Sequence, residues 1–244
     1  MWGVYVDTAI REKILSTLMH SPPSCSFSDL CDPAIPSNDF SYHLKTLMNE
    51  GLVRKTGSNT YVLSTEGKKH VTYIEGNTGK REKMPLMSVL LVAMDGDKLL
   101  FNERTKEPFY GYFGCHGAKI KFGERIEDTA KRELQEETGL TPKKVEVKCI
   151  ANYNTYHNGE LAYSHYSYVI RCTDLKGKLR KYEKEGINKW IDRSELNGKM
   201  KLFPDIFEIL KIADGNKFTI LEYDFMQKDD EFVGMKIRNR ISFQ

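Results

Sequence analysis

The chain has 244 residues, 40% of them hydrophobic and 29% charged, a composition typical of a soluble globular protein with one large domain or two modest ones. Its net charge of +3 is too small to indicate nucleic acid on its own, and residues 1–80 are neutral, with eight basic and eight acidic side chains. The five cysteines lack zinc-ligand spacing and are too scattered for a disulfide framework, so we expect a cytoplasmic protein with reduced thiols.

The N-terminal segment predicts three helices followed by a hairpin. It has no long apolar run, so we expect neither a signal peptide nor a membrane span. A helical stripe over residues 8–19, capped by Asp7 or Thr8, is followed by a short helix at FSDLC. A third helix, capped by Ser37, ends at Gly51. The alternating segments LVRKT and TYVLST flank the turn GSN and predict a β-hairpin.

Three helices and a hairpin in this order form a winged helix-turn-helix. The string YHLKTLMNEGLVRK…YVLSTEGKKHV resembles the recognition helix and wing of small prokaryotic transcription regulators. The resemblance implies that the third helix enters the major groove of DNA and that the wing meets phosphate. The implied DNA contacts are Ser37, Asn38, Ser41, Tyr42, Lys45, Arg54 and Lys55. Asp39 and the neutral charge argue for weak binding. Winged helices are also protein-interaction and dimerisation modules, and we expect a homodimer.

Residues 76–85, within EGNTGKREKMP, are polar, contain glycine and end in proline, which is typical of an interdomain linker. They separate a domain over 1–75 from one over 86–244. In the second domain the apolar runs LMSVLLVAM and KLLFNER flank the turn DGD and predict a hairpin. Further strands are expected near VEVKCIANYNTY, AYSHYSYVIRC and INKWI. A short helix, FPDIFEILKIA, and a last hairpin around QKDD complete the predicted elements.

The segment AKIKFGERIEDTAKRELQEETGL gathers acidic side chains around an arginine. A helix over residues 126–138 places Glu133, Glu136 and Glu137 at i, i+3 and i+4, on one side of the helix. Like charges at this spacing repel by several tenths of a kcal/mol per pair, on the order of the effect seen in isolated helices. A divalent cation turns that repulsion into attraction, and hard cations prefer carboxylate oxygens. Gly139 supplies the left-handed residue that closes such a helix.

This segment resembles the Nudix box, G-x5-E-x7-R-E-U-x-E-E-x-G-U, where U is aliphatic. Eight of the nine fixed positions match: Glu124, Arg132, Glu133, Leu134, Glu136, Glu137, Gly139 and Leu140. The resemblance, over about residues 86–200, implies an α+β fold in which a Nudix α/β/α sandwich follows the small winged helix-turn-helix domain. It also implies a pyrophosphohydrolase that uses Mg²⁺ or Mn²⁺ to cleave a phosphoanhydride bond in a nucleoside diphosphate derivative.

The resemblance implies a role for each charged position of the box. Glu136 and Glu137 would be the main metal ligands, and Glu133 a further ligand or the base that activates water. Arg132 would hold the glutamates in place by ion pairing, and Glu124 would anchor the loop before the helix. The alternative interpretation of these residues is an acidic helix face that is exposed to solvent and has no function.

The opening position of the box is Ala118 instead of glycine. In the family the residue here offers its backbone carbonyl to a metal, and alanine still has one. Glycine alone offers positive φ without steric cost, and the neighbouring Gly117 can take up the strain. We therefore expect activity to survive, and an inactive protein is the alternative. A second hypothesis for function is a DNA-binding transcription regulator whose Nudix domain senses a nucleotide metabolite.

Residues around the box are candidates for substrate contacts. KEGINKWID resembles the segment in which several Nudix enzymes place a further carboxylate, which favours Glu185, with Glu183 second and an exposed acidic loop as the alternative. Nucleobases are recognised by stacking and phosphates by cations. The predicted substrate contacts are Arg104, Tyr112, Phe113, Lys119 and Tyr156. For each aromatic side chain, a place in the core is the alternative.

Overall fold

In the computed structural model, residues 3–21, 23–74, 83–107, 109–184, 186–196, 200–229 and 231–243 are described. The chain divides into two compact units, Met1–Met84 and Pro85–Gln244. Most of the linker predicted at 76–85 lies outside the described residues. No helix in the described ranges has the length and apolar character needed to span a membrane. The five cysteines form no disulfide.

The first unit contains the three helices and the hairpin in the expected order. Its elements are α1 (Gly3–His20), β1 (Cys25–Ser26), α2 (Phe27–Leu30), α3 (Ser37–Asn49), β2 (Val53–Thr56), β3 (Thr60–Leu63) and α4 (Thr65–Val71). The strands pair antiparallel in the order β1-β3-β2. In α3, Phe40, Leu44 and Leu47 are buried at helical spacing and pack in one cluster with Ile14 of α1.

Three details of this unit differ from the sequence prediction. α1 begins at Gly3, so Asp7 and Thr8 lie inside the helix and do not cap it. Ser37 is the first residue of α3, and the cap position is taken by Pro36, which has no side chain that can accept a hydrogen bond. The strand β1 and the helix α4 were not expected. Both are short elements with too few residues to show a hydrophobic period.

The second unit is built on a ten-stranded mixed sheet. Its elements are β4 (Leu86–Asp95), β5 (Lys98–Arg104), β6 (Phe113–Gly114), β7 (His116–Lys119), α5 (Ile126–Thr138), β8 (Leu140–His157), β9 (Glu160–Gly177), β10 (Tyr182–Glu183), β11 (Gly186–Asp192), α6 (Ile206–Asp214), β12 (Phe218–Lys228) and β13 (Glu231–Phe243). The strand order is β10-β11-β5-β4-β9-β8-β12-β13, with β6 on β5 and β7 on β4. The pairs β4–β9 and β8–β12 are parallel, and the other pairs are antiparallel.

A helix packs on each face of this sheet. Leu134 of α5 is buried in one cluster with Leu91 of β4, whereas Ile209 of α6 is buried in another with Val92. Because successive side chains of a strand point to opposite faces, the neighbours Leu91 and Val92 show that the two helices cover opposite sides. The mixed α+β fold is thus confirmed, and each face of the sheet has its own apolar core.

A buried carboxyl group lies at the start of α6. Asp205 is 7% exposed and accepts a hydrogen bond from the Tyr153 hydroxyl, with 2.9 Å between Oη and Oδ2. Burial raises the pKa of Asp205 from its ordinary value of 3.8 to about 6. Between pH 4 and 6 the folded state therefore binds more protons than the unfolded state, so the free energy of unfolding falls as the pH rises through this window.

The variant Asp205→Asn is expected to lose this pH dependence. At pH 8 it should be more stable than the wild type by about 2–3 kcal/mol, because the charged carboxylate is no longer buried, and the gain should disappear below about pH 4. Urea unfolding of both proteins at several pH values from 4 to 8 measures the difference. A constant difference across this range would contradict the assignment, and Asp95→Asn at the exposed end of β4 is the control.

Candidate active site

Three glutamates project from α5 beside its buried stripe. Ala130 and Leu134 have no exposed surface and pack on the sheet, which fixes the rotation of the helix. Glu133, Glu136 and Glu137 therefore lie on the neighbouring side, where Glu136 is exposed and the other two are half-buried. The predicted bounds of the helix, 126–138, are confirmed.

An arginine ties this helix to the loop before it. Arg132 donates from Nε to Oε1 of Glu124 at 2.5 Å and from Nη2 to Oε2 at 2.8 Å, a bidentate pair. Glu124 also accepts from the Thr129 hydroxyl at 2.8 Å and from the Lys121 backbone N–H at 3.2 Å. The guanidinium lowers the pKa of Glu124 to about 2, and the carboxylate raises the pKa of Arg132. Loop and helix are thereby held in one arrangement.

The same guanidinium reaches two of the glutamates on the helix. Nη1 of Arg132 donates to Glu133 and, at 3.1 Å, to Oε2 of Glu136. Within the described residues no group of three or more His, Cys, Asp or Glu side chains is arranged to hold a metal ion. The donors nevertheless fit Mg²⁺ in kind, because the carboxylates of Glu133, Glu136 and Glu137 offer only oxygen. A bound metal ion would replace Arg132 as the partner of Glu133 and Glu136.

Ala118 lies in regular strand structure and is not strained. It pairs with Val89 across the β4–β7 ladder, and neither Ala118 nor Gly117 has positive φ. A Cβ added at Gly117 would meet its nearest heavy atom, the Val89 carbonyl oxygen, at 3.4 Å, which is ordinary contact. The expectation that Gly117 takes up strain was therefore wrong, since an extended backbone accepts alanine without strain. The Ala118 carbonyl is carried by β7 without any need for glycine.

The C-terminal turn of α5 is closed by glycine and by an arginine from a later segment. Gly139 adopts φ 76°, and its N–H donates to the Gln135 carbonyl at 3.0 Å, as predicted for the left-handed cap. Arg180 donates from Nη2 to the carbonyls of Gln135, at 2.7 Å, and of Glu136. Its backbone N–H donates to the Thr138 carbonyl at 2.8 Å. A cation at a helix C-terminus is also favoured by the helix dipole.

A buried asparagine completes this end of the helix. Asn188 of β11 is 1% exposed and donates from Nδ2 to the carbonyls of Glu137 and Arg180, both at 2.8 Å. Its Oδ1 contacts Nε2 of His116 at 2.9 Å and Nδ2 of Asn102 at 3.1 Å. The two carbonyls fix the orientation of the Asn188 amide, so the His116 Nε2 must carry the proton. Burial lowers the pKa of His116, which favours the neutral ring.

The residues that form this site match the model of a known protein family. The NUDIX domain model matches residues 84–211, slightly more than half of the chain. The chain belongs to the Nudix family. The ADP-ribose pyrophosphatase of Methanocaldococcus jannaschii is 42% identical over 57 residues, which are 21% of this chain and 34% of that protein. This chain therefore spans about a third of the length of that relative.

Two solved Nudix structures are similar to the chain. The MutT protein of Bacillus halodurans superposes with a TM-score of 0.54 at 22% identity, covering 63% of this chain and 97% of that one. At this identity the likeness shows the fold alone. The Nudix domain of Shewanella oneidensis NrtR, solved in complex with ADP ribose, has a TM-score of 0.48 at 22% identity and covers 61% of this chain and 96% of that one.

Two predicted substrate contacts lie away from the Nudix helix α5. Tyr112 is 4% exposed, packs among the rings of Phe109, Phe203 and Phe232, and donates its hydroxyl to Glu231 at 2.7 Å. Such an enclosed ring has no free face on which a nucleobase could stack. Phe232 also packs on Phe225 in the core that α6 covers, so this group of rings adjoins the core on the sheet face opposite to the Nudix helix.

Phe113 packs against the same core, with the Lys189 ammonium 5.2 Å from its ring centroid. The structure thus separates Phe113, like Tyr112, from the glutamates of the Nudix helix. Both residues were predicted to contact substrate because they stand beside the box in the sequence. The side of the sheet to which a strand residue points depends instead on how its strand pairs with others.

The other predicted substrate residues keep their places as candidates. Arg104 is half-buried at the end of β5, opposite Gly186 in the register with β11. Lys119 is exposed at the end of β7, directly after the Ala118 carbonyl. Tyr156 is half-buried on β8. The further carboxylate predicted at Glu185 lies outside the described residues.

The predicted DNA contacts lie on the surface of the first unit. On α3 the side chains of Ser37, Asn38, Tyr42 and Lys45 are exposed and that of Ser41 is half-buried. Of these, Asn38, Tyr42 and Lys45 lie on the side opposite to the buried Phe40, Leu44 and Leu47. Arg54 and Lys55 are exposed on β2.

Three residues that hold the Nudix helix were not predicted from the sequence. Arg180 is a loop residue and gave no local signal. Asn188 and His116 each interrupt a strand with a polar side chain on its buried side, and a buried polar residue must find a partner. That pattern was the only signal in the sequence. It does not indicate which residue is the partner, or that the partner lies on α5.

Proposed function

We propose that the chain is a Nudix hydrolase that cleaves a phosphoanhydride bond in a nucleoside diphosphate derivative with Mg²⁺ or Mn²⁺. The observation that carries this proposal is the cluster of Glu133, Glu136 and Glu137 on α5, organised by one arginine, in a chain of the Nudix family. Glu133 and Glu136 share one guanidinium, which also pairs with Glu124, so these carboxylates keep excess negative charge that a divalent ion would balance.

Each residue of the site has a proposed part. Glu133, Glu136 and Glu137, together with the Ala118 carbonyl, would hold the metal. When bound, the ion neutralises charge on the phosphates and lowers the pKa of a water molecule. Arg132 keeps the carboxylates oriented through its bidentate pair with Glu124, so less rearrangement is needed when substrate arrives. Glu133, half-buried beside Arg132, would hold the metal or accept the proton from water.

ADP-ribose is the first substrate to test. The Methanocaldococcus jannaschii relative is named an ADP-ribose pyrophosphatase, and its 42% identity covers a short segment only. Arg104, at the end of β5, and Lys119, at the end of β7, would contact the phosphates. Tyr156 remains the candidate for contact with the base. Water would add to one phosphorus and the bond to the bridging oxygen would break, which gives AMP and ribose 5-phosphate.

The test is phosphate release from a panel of compounds, with added phosphatase, in the presence of Mg²⁺ or Mn²⁺. The panel contains ADP-ribose, NADH, nucleotide sugars, diadenosine polyphosphates and nucleoside triphosphates. We expect turnover of at least one diphosphate derivative, and its complete loss with EDTA. No turnover of any compound with either ion would overturn the proposed function.

We infer a second function for the first unit, that of a winged helix-turn-helix that binds DNA and is regulated by a nucleotide metabolite. The surface position of the seven predicted contact residues on α3 and β2 supports it. Arg54 and Lys55 are the exposed cations of the wing that would meet phosphate, and Lys45 is an exposed cation of the helix that would enter the groove. The homodimer stays a prediction, and a dimer would place two such helices on successive turns of DNA.

DNA binding is expected to appear as a band shift with genomic fragments at low salt. The double variant Lys45→Ala/Arg54→Ala should weaken DNA binding at least tenfold, because it removes two cations from the contact surface. For the same reason the affinity of the variant should depend less on salt concentration. Lys69→Ala in α4, whose ammonium pairs with Glu66 at 2.7 Å, is the control. If no salt-sensitive shift is seen with the wild-type protein, the second function is wrong.

A further inference from the structure

The donors assigned to the metal come from two separate elements. Glu133, Glu136 and Glu137 are on α5, whereas the Ala118 carbonyl is on β7, an edge piece of four residues that pairs with β4. A metal site needs its donors at fixed separations, within a few tenths of an ångström. Something must therefore hold the end of α5 and the start of β7 at a constant distance.

One side chain contacts both elements. The Asn188 amide donates to the carbonyl of Glu137, which is itself one of the assigned ligands, at 2.8 Å. Its oxygen accepts from Nε2 of His116, two residues before Ala118, at 2.9 Å. We propose that Asn188 is a positioning residue, which sets the separation between the carboxylates of α5 and the Ala118 carbonyl. The inference rests on the metal-dependent function proposed above.

The surroundings of Asn188 leave it one arrangement. The side chain is 1% exposed, and His116 is 2% exposed. Nδ2 also donates to the Arg180 carbonyl at 2.8 Å, and Oδ1 also accepts from Asn102 at 3.1 Å, so all four hydrogen-bonding positions of the amide are used. A buried amide with all four positions in use has one favourable placement, since any other leaves polar groups unpaired.

The requirement is specific to an amide. An aspartate has nearly the same shape, but it cannot donate to the two carbonyls and places a negative charge against them. A leucine fills the space but contacts neither element by hydrogen bonds. At position 116 a glutamine places an N–H donor at the same number of bonds from Cβ as Nε2 of histidine, whereas a leucine has none. Comparison of these variants distinguishes the effect of losing the hydrogen bonds from the effect of changing the side-chain volume.

The experiment measures Mn²⁺ binding to the full chain by electron paramagnetic resonance of the free ion, and hydrolysis of ADP-ribose in parallel. Asn188→Leu and Asn188→Asp are each expected to bind Mn²⁺ at least tenfold more weakly than the wild type, as for other residues that orient metal ligands. His116→Leu should show the same loss, and His116→Gln should restore most of the affinity. The control is Ile209→Ala, which removes buried volume from the opposite face of the sheet.

The outcomes separate this inference from the proposed function. Mn²⁺ affinity within twofold of the wild type in Asn188→Leu would overturn the inference, as would an equal loss in Ile209→Ala at matched stability, or a wild-type protein that binds no Mn²⁺. Should the Asn188 variants fail to fold, the two His116 variants decide by their difference in affinity. Tenfold weaker binding without hydrolysis of any panel compound by the wild type would support the positioning role and overturn the proposed hydrolase.

Discussion

Replacing Glu136 by glutamine is expected to lower kcat by about a thousandfold or more, equivalent to about 4 kcal/mol of transition-state stabilisation. Glutamine keeps the size of the side chain but loses the negative charge that would bind the metal. The fold should be unaffected, because the side chain of Glu136 is 57% exposed and its 3.1 Å pair with Arg132 is a surface interaction. Steady-state rates with Mg²⁺ and the best substrate of the panel, together with thermal unfolding, measure both effects.

Glu127→Gln is the matched control for this experiment. Glu127 lies on the same helix, is 61% exposed, and pairs with Lys131 at 2.6 Å, outside the fixed positions of the Nudix box. The same chemical change there should leave kcat within twofold of the wild type. Wild-type turnover in Glu136→Gln, or equal losses in both variants, would mean that the carboxylate cluster on α5 is not the catalytic centre.

The Nudix helix could be predicted to the residue because its signals are local. The apolar positions Ala130 and Leu134 recur at helical spacing, and Gly139 marks the end. The ion pairs of Arg132 with the glutamates also connect neighbours in sequence, at one and four positions. These signals each connect residues within one or two helical turns, so they can be recognised from the sequence alone.

The supports of the helix depend on contacts between distant parts of the chain. The hydrogen bond from Asn188 to Glu137 joins residues 51 positions apart, and that from Arg180 to Gln135 joins residues 45 apart. Such contacts follow from strand order, which a single sequence does not state. For the same reason Tyr112 and Phe113 were predicted near the substrate, although Phe113 packs against the opposite core and Tyr112 contacts Phe232 beside it.

Strand lengths were also underestimated. β8 and β9 have 18 residues each, and Pro142 lies within β8, where proline usually argues against a strand. Register shifts near Val147 and Thr155 bend the ladder. A bulge lets a long strand continue through a change of direction, and the sequence shows no period across it.

Gly139→Ala is expected to destabilise the second unit by about 3 kcal/mol and to reduce catalysis at the same time. Alanine at φ 76° costs about 1–2 kcal/mol, because its Cβ approaches the backbone in the left-handed region. In addition, a Cβ at this position would lie 2.6 Å from the Lys178 carbonyl oxygen, so the backbone must move. For a unit of this size the melting temperature should fall by roughly 6–12 °C.

The matched control separates the two costs. Gly96, in the β4–β5 turn, has φ 59° and no heavy atom within 4 Å of an added Cβ, so Gly96→Ala should carry only the cost of the left-handed conformation. Because Lys178 precedes the segment from which Arg180 holds the last turn of α5, the collision at Gly139 should also displace Glu136 and Glu137 and lower kcat. Equal destabilisation by the two alanines, with unchanged kcat, would show that the segment at Lys178 moves freely and does not hold the glutamates in place.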